Sequence, residues 1–191
     1  MTKAQIIELQ SRIGVTPDGF WGPKSIAACQ KHLRDLMPSI NPWPKSDQAS
    51  LLKFYGKPGT GHTSLKLPFP MLLYGLEDKV ETVTVHEKCA DSLRRVLVDL
   101  YDRYYKDASI MKAAKAFFGI YNNRNKRGGT TKSLHAYAAA IDLDANRNAF
   151  KSAWPVEATM PIEIMECFAR ESWLPAGAFW GYDAMHMQAT R

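Results

Sequence analysis

Cysteines and long apolar segments are scarce in this sequence of 191 residues. The three cysteines, Cys29, Cys89 and Cys167, are far apart in apolar, helix-like stretches, which is typical of small buried side chains. This pattern predicts neither a disulfide framework nor a CxxC metal site. The N-terminal segment has no apolar core of a secretory signal, and no stretch approaches the roughly 18 apolar residues of a membrane span. We therefore expect synthesis in the cytoplasm without a signal peptide and no membrane insertion.

Acidic residues are outnumbered by basic ones. The chain has 25 Lys and Arg against 19 Asp and Glu, a formal net charge of +6, which predicts an acidic polymer or an anionic surface as partner. The cations are scattered, and only Arg124, Lys126 and Arg127 stand close together. Such a short run is more typical of a solvated loop than of a nucleic-acid interface. We expect no nucleic-acid partner.

Proline placement indicates how the chain is divided. Apolar residues at helical spacing predict helices over 4–13 and from Pro23 to Met37. Three prolines between 38 and 44 then interrupt any helix and predict an extended, semi-rigid connector. The expected organisation is a helical domain over 1–37, a linker over 38–54 and a larger domain over 55–191.

The larger domain mixes strand-like and helical patterns without regular βαβ repetition. Val83 and Val85 alternate with polar residues as in a strand, and a helix of about five turns is predicted from Cys89 to Tyr104. Further strand-like runs are predicted at 116–121, 137–144 and 180–188, and a helix at 161–171. This mixture predicts an α+β fold.

Two of the five histidines stand where a metal ligand is expected. His135 follows a Gly-rich polar loop and precedes Asp142, an acid inside an apolar run that requires a partner. His186 stands three residues after Asp183, again between apolar residues. Two imidazoles and a carboxylate can form an open, catalytic zinc site, and another carboxylate can take the proton of its water. Asp144 shares a strand face with Asp142, so spacing alone does not choose between them. Packed core histidines are the alternative.

Two segments of the sequence resemble the signatures of a known enzyme family, and this resemblance adds to what residue spacing indicates. The segment Ser133–Asp142, SLHAYAAAID, is similar to the SxHxxGxAxD signature of the M15 zinc peptidases, the family of D-Ala-D-Ala carboxypeptidases and L-alanyl-D-glutamate endopeptidases. The tail Trp180–His186, WGYDAMH, resembles the family's second signature, an acidic residue followed three positions later by histidine. The two motifs occur in the family's order.

The resemblance implies a role for each matching residue. His135, Asp142 and His186 would bind one catalytic zinc ion, and Asp183 would be the general base. Asp144 is then left with a structural role.

The resemblance also implies substrate contacts. In the family an arginine ahead of the first signature contacts the substrate, and the loop 121–129 is similar to the one that carries it. This role falls to Arg124, with Arg127 as the second choice. Arg124 is also expected to be catalytic, because it would hold a substrate carboxylate or a developing oxyanion. Ser133 and Trp180 are also expected beside the substrate.

Two positions depart from the family pattern. Ala138 replaces the signature glycine, which indicates that backbone flexibility or close approach at this position is not needed or is met otherwise. Asp183 stands where many relatives have glutamate, which shortens the reach of the base by one methylene.

Residues 1–37 resemble the type-1 peptidoglycan-binding module through the segment Asp18–Ser25, DGFWGPKS, between two helices. The alternative is a generic helical hairpin with a Gly-rich turn. The resemblance implies wall binding by Asp18, Phe20 and Trp21, although packing between the helices would equally explain the two aromatic rings.

The combined resemblance predicts a function. A small, basic binder-plus-peptidase chain is similar to phage endolysins, which reach the wall after a holin opens the membrane. We expect a monomeric, zinc-dependent hydrolase of bacterial peptidoglycan that cleaves the L-Ala-D-Glu bond of the stem peptide. Two alternatives stay open: a D-Ala-D-Ala carboxypeptidase, and a non-catalytic wall-binding protein with a structural metal.

Overall fold

The computed structural model describes residues 1–191 and contains seven α-helices and one six-stranded sheet. The helices are α1 (Lys3–Arg12), α2 (Pro23–Leu36), α3 (Gln48–Tyr55), α4 (Glu87–Tyr104), α5 (Ala108–Lys115), α6 (Ile162–Arg170) and α7 (Ala176–Trp180). The strands are β1 (His62–Leu73), β2 (Lys79–His86), β3 (Ala116–Gly119), β4 (Ala140–Leu143), β5 (Leu174–Pro175) and β6 (His186–Gln188). A short 3₁₀ turn, Leu134–Tyr137, precedes β4.

The strands lie in the order β2-β1-β3-β4-β6-β5. Only β1 and β3 are parallel neighbours, and all other neighbouring strands are antiparallel. Helices α4, α5 and α6 pack together beside this sheet. The predicted α+β class is confirmed.

Short polar side chains begin several helices. The Thr2 side chain accepts from the backbone N–H of Gln5, whose own side chain accepts from the Thr2 N–H, and this capping box starts α1. Asp47 caps α3 by accepting from the Ser50 N–H, and Asp107 caps α5 by accepting from the Ser109 and Ile110 N–H groups. These caps satisfy donors that have no partner inside the helix.

The most prominent element without a counterpart in the sequence pattern is β1. It contains Pro68 and Pro70, which lack an N–H and normally argue against a strand. Both lie where the register with β2 is irregular, between Lys66 and Met71. The prolines therefore lie where the β1–β2 pairing is interrupted and no N–H donor is required of them.

Two sequence expectations are corrected. The segment expected to be an extended connector is irregular only over 38–47, because residues 48–55 form α3. Trp43 and Leu51 are buried in this segment, and Trp43 Nε1 donates to the Glu171 carbonyl at 2.9 Å. The strand expected over 180–188 is limited to β6, since Trp180 ends α7.

The N-terminal helices pack against the larger part of the chain. One hydrophobic cluster includes Leu9 and Leu33 together with the side chains behind the sheet. A polar contact accompanies it: the Arg12 guanidinium holds both carboxylate oxygens of Glu166 on α6, each at 2.7 Å, and His32 Nε2 lies 2.8 Å from the same carboxylate. Glu166 is only 3% exposed, so its charge depends on these partners.

None of the helices has the length and the apolar character needed to cross a bilayer.

We expect Arg12→Met to lower the free energy of unfolding at pH 7 by about 2 kcal/mol. Unpairing a fully buried charge costs roughly 3–5 kcal/mol, and the smaller value here reflects the 38% exposure of Arg12 and the remaining contact with His32. Burial raises the pKa of Glu166, but Arg12 and His32 outweigh it and the pKa lies below its ordinary value of 4.5. The difference between wild type and variant should therefore shrink as the pH falls below 4.5.

Urea denaturation at a series of pH values measures this difference. The matched control is Lys31→Met, which removes an exposed pair with Asp35 and should change stability by less than about 0.5 kcal/mol. Equal effects of the two substitutions would contradict the assigned importance of the Arg12–Glu166 contact.

Candidate metal centre

Three potential ligand atoms converge at one point in the fold. His135 Nε2 lies 3.2 Å from Asp142 Oδ1 and 3.1 Å from His186 Nδ1, and His186 Nδ1 lies 2.9 Å from Asp142 Oδ1. Both histidines are buried, and Asp142 is half-buried. The cluster could hold a metal ion.

The separations of these atoms match a coordination triangle. Bonds of about 2.0–2.1 Å in tetrahedral geometry place neighbouring ligand atoms about 3.3–3.4 Å apart. The observed separations of 2.9–3.2 Å fall within a few tenths of an ångström of that range. Binding would require only a small outward shift of the three side chains.

Strand register brings two of the three ligands together. Asp142 on β4 is the direct antiparallel partner of His186 on β6. Directly opposite residues of such a pair place their Cβ atoms about 4.5–5.5 Å apart on the same face. His135 enters from the 3₁₀ turn that precedes β4, where the buried Ser133 caps the turn by accepting from the His135 N–H.

The outward-facing nitrogen of each imidazole meets an acceptor. His135 Nδ1 lies 2.7 Å from the Ile120 carbonyl oxygen, and His186 Nε2 lies 3.1 Å from Gln188 Oε1. When these nitrogens carry the protons, His135 Nε2 and His186 Nδ1 present lone pairs to Asp142. Three hydrogen-bond acceptors then face one another in a buried place with no donor among them. A bound cation would remove this repulsion and satisfy all three.

The ionisation of the cluster shows the same demand for positive charge, which a proton on an imidazole can meet as well as a metal ion. Burial alone would raise the pKa of Asp142, but the adjacent imidazoles outweigh it and hold the pKa far below its usual range. Burial would lower the pKa of His186, yet Asp142 outweighs that effect and the pKa is raised. Both shifts have one cause, because a buried ionised carboxylate draws positive charge toward itself.

Asp183 is a second buried acid beside the cluster, and its environment differs. Its Oδ1 is buried without a hydrogen-bond partner, and burial raises the pKa of this carboxyl above its ordinary value. The backbone at Asp183 has a positive φ of 59°, and its carbonyl accepts from the His186 N–H at 2.9 Å. An unpartnered carboxyl with a raised pKa is suited to accept a proton.

A cleft of about 380 Å³ opens over the cluster. The predicted substrate-contacting residues Arg124, Arg127, Ser133 and Trp180 all line it, together with Asp183. Ser133 is buried at 6% exposure, and its hydroxyl accepts from the His135 N–H in the turn that contains His135.

Aromatic side chains form one wall of the cleft. The Trp180 ring stacks on His186 with centroids 5.9 Å apart, and Tyr182 lies beside Trp180. Phe150 packs edge-on against Tyr182. The Arg127 guanidinium carbon lies over the Phe150 ring, 4.8 Å from its centroid. This cation–π contact holds Arg127 at the rim without a carboxylate partner.

Asp144 does not take part in the cluster. The strand ends at Leu143, and Asp144 adopts a positive φ of 49°, so the strand alternation that placed it beside Asp142 no longer applies. Its carboxylate instead accepts from Arg147 Nε at 2.8 Å and from Asn148 Nδ2 at 3.2 Å.

At Ala138 the second of the two expectations agrees with the structure. This residue has φ 52° and ψ 34°, the left-handed conformation that favours glycine, so alanine here adopts a glycine-like backbone conformation. The conformation costs an L-residue about 1–2 kcal/mol. Two hydrogen bonds hold it, one from the Ala138 N–H to the His135 carbonyl and one from the His86 N–H to the Ala138 carbonyl.

The expected wall-binding residues lie in the turn between α1 and α2, not at the metal cluster. The Asp18 carboxylate accepts from the Gln10 side chain and from the Phe20 N–H, each at 2.8 Å, and so closes the turn. Trp21 packs edge-on against Trp154 at 5.5 Å, whereas Phe20 is 72% exposed. Trp21 is only partly exposed, so Phe20 is the more accessible of the two aromatic rings.

Sequence reasoning did not identify Gln188, Phe150 or Tyr182 as parts of the site. Gln188 follows His186 by two positions on β6, so strand alternation places both on one face and could have indicated it. Phe150 lies in an irregular segment with no such periodicity. Its position depends on tertiary structure alone.

No family model, curated protein or solved structure matches this chain.

We expect the protein to bind one zinc ion per chain and His135→Ala to weaken that binding by more than about 100-fold. Loss of an outer hydrogen-bond partner alone typically weakens metal binding 10–100-fold, and loss of a direct ligand should cost more. Calorimetric titration of the metal-free protein measures both.

The matched control is His62→Ala, since His62 lies on β1 outside the cluster. It should bind zinc as the wild type does. Equal losses in both histidine variants would show that the metal binds elsewhere or without specificity.

Proposed function

We propose that this protein is a zinc-dependent peptidase of the M15 type that hydrolyses the stem peptide of bacterial peptidoglycan, at the L-Ala-D-Glu bond. One observation carries the proposal. A buried cluster of two imidazoles and a carboxylate shares a cleft with Asp183, whose buried Oδ1 has no partner. Metal ligands and a separate base are the two parts that metal-assisted peptide hydrolysis needs.

The donor set favours zinc. Two nitrogens and one carboxylate oxygen are ligands that zinc accepts, and three protein ligands leave the fourth tetrahedral position open, as in catalytic sites. Zinc held by His135, Asp142 and His186 would supply a Lewis acid that polarises a carbonyl and lowers the pKa of water from 15.7 to about 7.

Asp183 performs the proton transfer in this mechanism. Its carboxylate accepts a proton from the attacking water, whose oxygen forms a bond to the carbonyl carbon of the scissile peptide. The same proton then passes to the leaving nitrogen as the C–N bond breaks. Asp183 Oδ1 has no hydrogen-bond partner in the protein that would compete for the proton.

Arg124 and Arg127 bind the substrate. Both line the cleft, and neither forms an ion pair with a carboxylate of the protein. Each guanidinium can therefore take a carboxylate of the stem peptide through two parallel hydrogen bonds. Trp180 forms the wall next to His186.

The N-terminal helices fit a wall-binding role beside a peptidase domain over 55–191. Their connecting turn exposes Phe20, and the chain carries a net charge of +6 that suits the anionic bacterial wall. A monomeric, endolysin-like hydrolase that binds and cleaves the same polymer accounts for both parts.

The reaction is tested on isolated peptidoglycan sacculi with mass spectrometry of the released ends. New N-terminal D-Glu, lost with EDTA and restored by zinc, is the expected result. Free D-Ala would instead indicate a D-Ala-D-Ala carboxypeptidase. Sacculus binding without any product would leave a non-catalytic wall-binding protein.

Asp183→Asn should lower turnover by at least about 100-fold, the lower end of what a general base contributes, while zinc stays bound. Asparagine keeps the shape of the side chain and tolerates the positive φ of this position, but it cannot accept the proton. Product formation and zinc content of the purified variant are the two measurements.

Asp91→Asn, at an exposed position of α4, is the matched control and should retain full turnover. Loss of zinc from Asp183→Asn would contradict the separation between ligands and base.

A further inference from the structure

Gln188 is a buried polar residue of β6 that contacts the outer nitrogen of His186 and takes no part in the proposed hydrolysis. It is 4% exposed, and its Oε1 lies 3.1 Å from His186 Nε2. Its amide nitrogen donates to Thr190 Oγ1, and Thr190 is completely buried. A chain of buried polar groups thus runs from His186 through Gln188 to Thr190.

This series of hydrogen bonds determines which nitrogen of the neutral His186 ring carries the proton. With the amide oxygen of Gln188 toward the ring, His186 Nε2 donates, so in the neutral imidazole the proton is on Nε2 and the lone pair is on Nδ1. That lone pair faces Asp142 and His135 at 2.9 and 3.1 Å. The opposite tautomer would direct an N–H into the place where a metal ion would lie.

The arrangement depends on side chains and not on backbone pairing. Gln188 is paired through its backbone with Ala140 on one side and Leu174 on the other, and these ladders would persist with any side chain. Only its amide group reaches His186. Removing that group therefore separates the effect on the imidazole from the effect on the sheet.

We propose that Gln188, held by Thr190, is a positioning residue that keeps His186 in the tautomer able to bind a metal and thereby sets the metal affinity of the site. The inference rests on the proposed metal site but not on any particular substrate. Partners that accept from the outer nitrogen of a metal-bound histidine fix its orientation and raise its basicity.

The test measures the dissociation constant of Zn²⁺ alone for the full chain, by competition with a fluorescent chelator. Gln188→Met removes the acceptor while keeping a similar shape, and we expect the dissociation constant to rise 10–100-fold. Gln188→Glu restores an acceptor oxygen at the same place and should stay within about threefold of the wild type.

Thr190 supplies a second pair of variants. Thr190→Val removes the oxygen that receives the amide of Gln188, and it should weaken zinc binding, whereas Thr190→Ser keeps the hydroxyl and should not. This pair decides the question if Gln188→Met fails to fold.

Thermal melting in EDTA separates positioning from a merely structural role. Gln188→Met should melt close to the wild type without metal and show a smaller rise of the melting temperature when zinc is added. Equal zinc affinity in the wild type and Gln188→Met, or in Thr190→Val and Thr190→Ser, would overturn the inference and leave the metal site intact. Absence of zinc binding by the wild type would overturn the proposed function together with it.

Discussion

The antiparallel register between β4 and β6 is the constraint on which the rest of the site depends. It places Asp142 opposite His186, although 44 positions separate them along the chain. Side chains alternate along a strand, so a slip of one residue would direct either ligand to the opposite face of the sheet. His135 adds the third candidate ligand from a turn whose left-handed residue, Ala138, is held by two backbone hydrogen bonds.

The two acids of the site have opposite environments, and this contrast supports the different roles proposed for them. Asp142 lies between two imidazoles that keep it ionised, whereas burial raises the pKa of Asp183, which lacks a partner at Oδ1. Pairs of titratable groups whose surroundings separate their pKa values are typical of ligand-and-base or acid-and-base assignments. Asp183 and His186 are three residues apart in the sequence, and both line the same cleft.

The N-terminal helices take part in the architecture around the site. Arg12 pairs with the buried Glu166 of α6, and α2 contacts α7 through the Gln30 amide and through Arg34, which lies over the Phe179 ring. The residue after Phe179 is Trp180, which stacks on His186. A continuous set of contacts therefore connects the expected wall-binding part to the wall of the cleft.

The sequence by itself determined the α+β class, the helices at α1, α2, α4 and α6, and the set of candidate ligands. Helices are predictable because their hydrogen bonds join residues four positions apart, so the pattern is local. Tertiary structure alone decided that α3 occupies the expected connector and that β1 accommodates two prolines. It also directed Asp144 away from the cluster and brought Gln188 and Phe150 to the site. These outcomes depend on strand pairing and side-chain packing between distant segments, which periodicity along one segment does not encode.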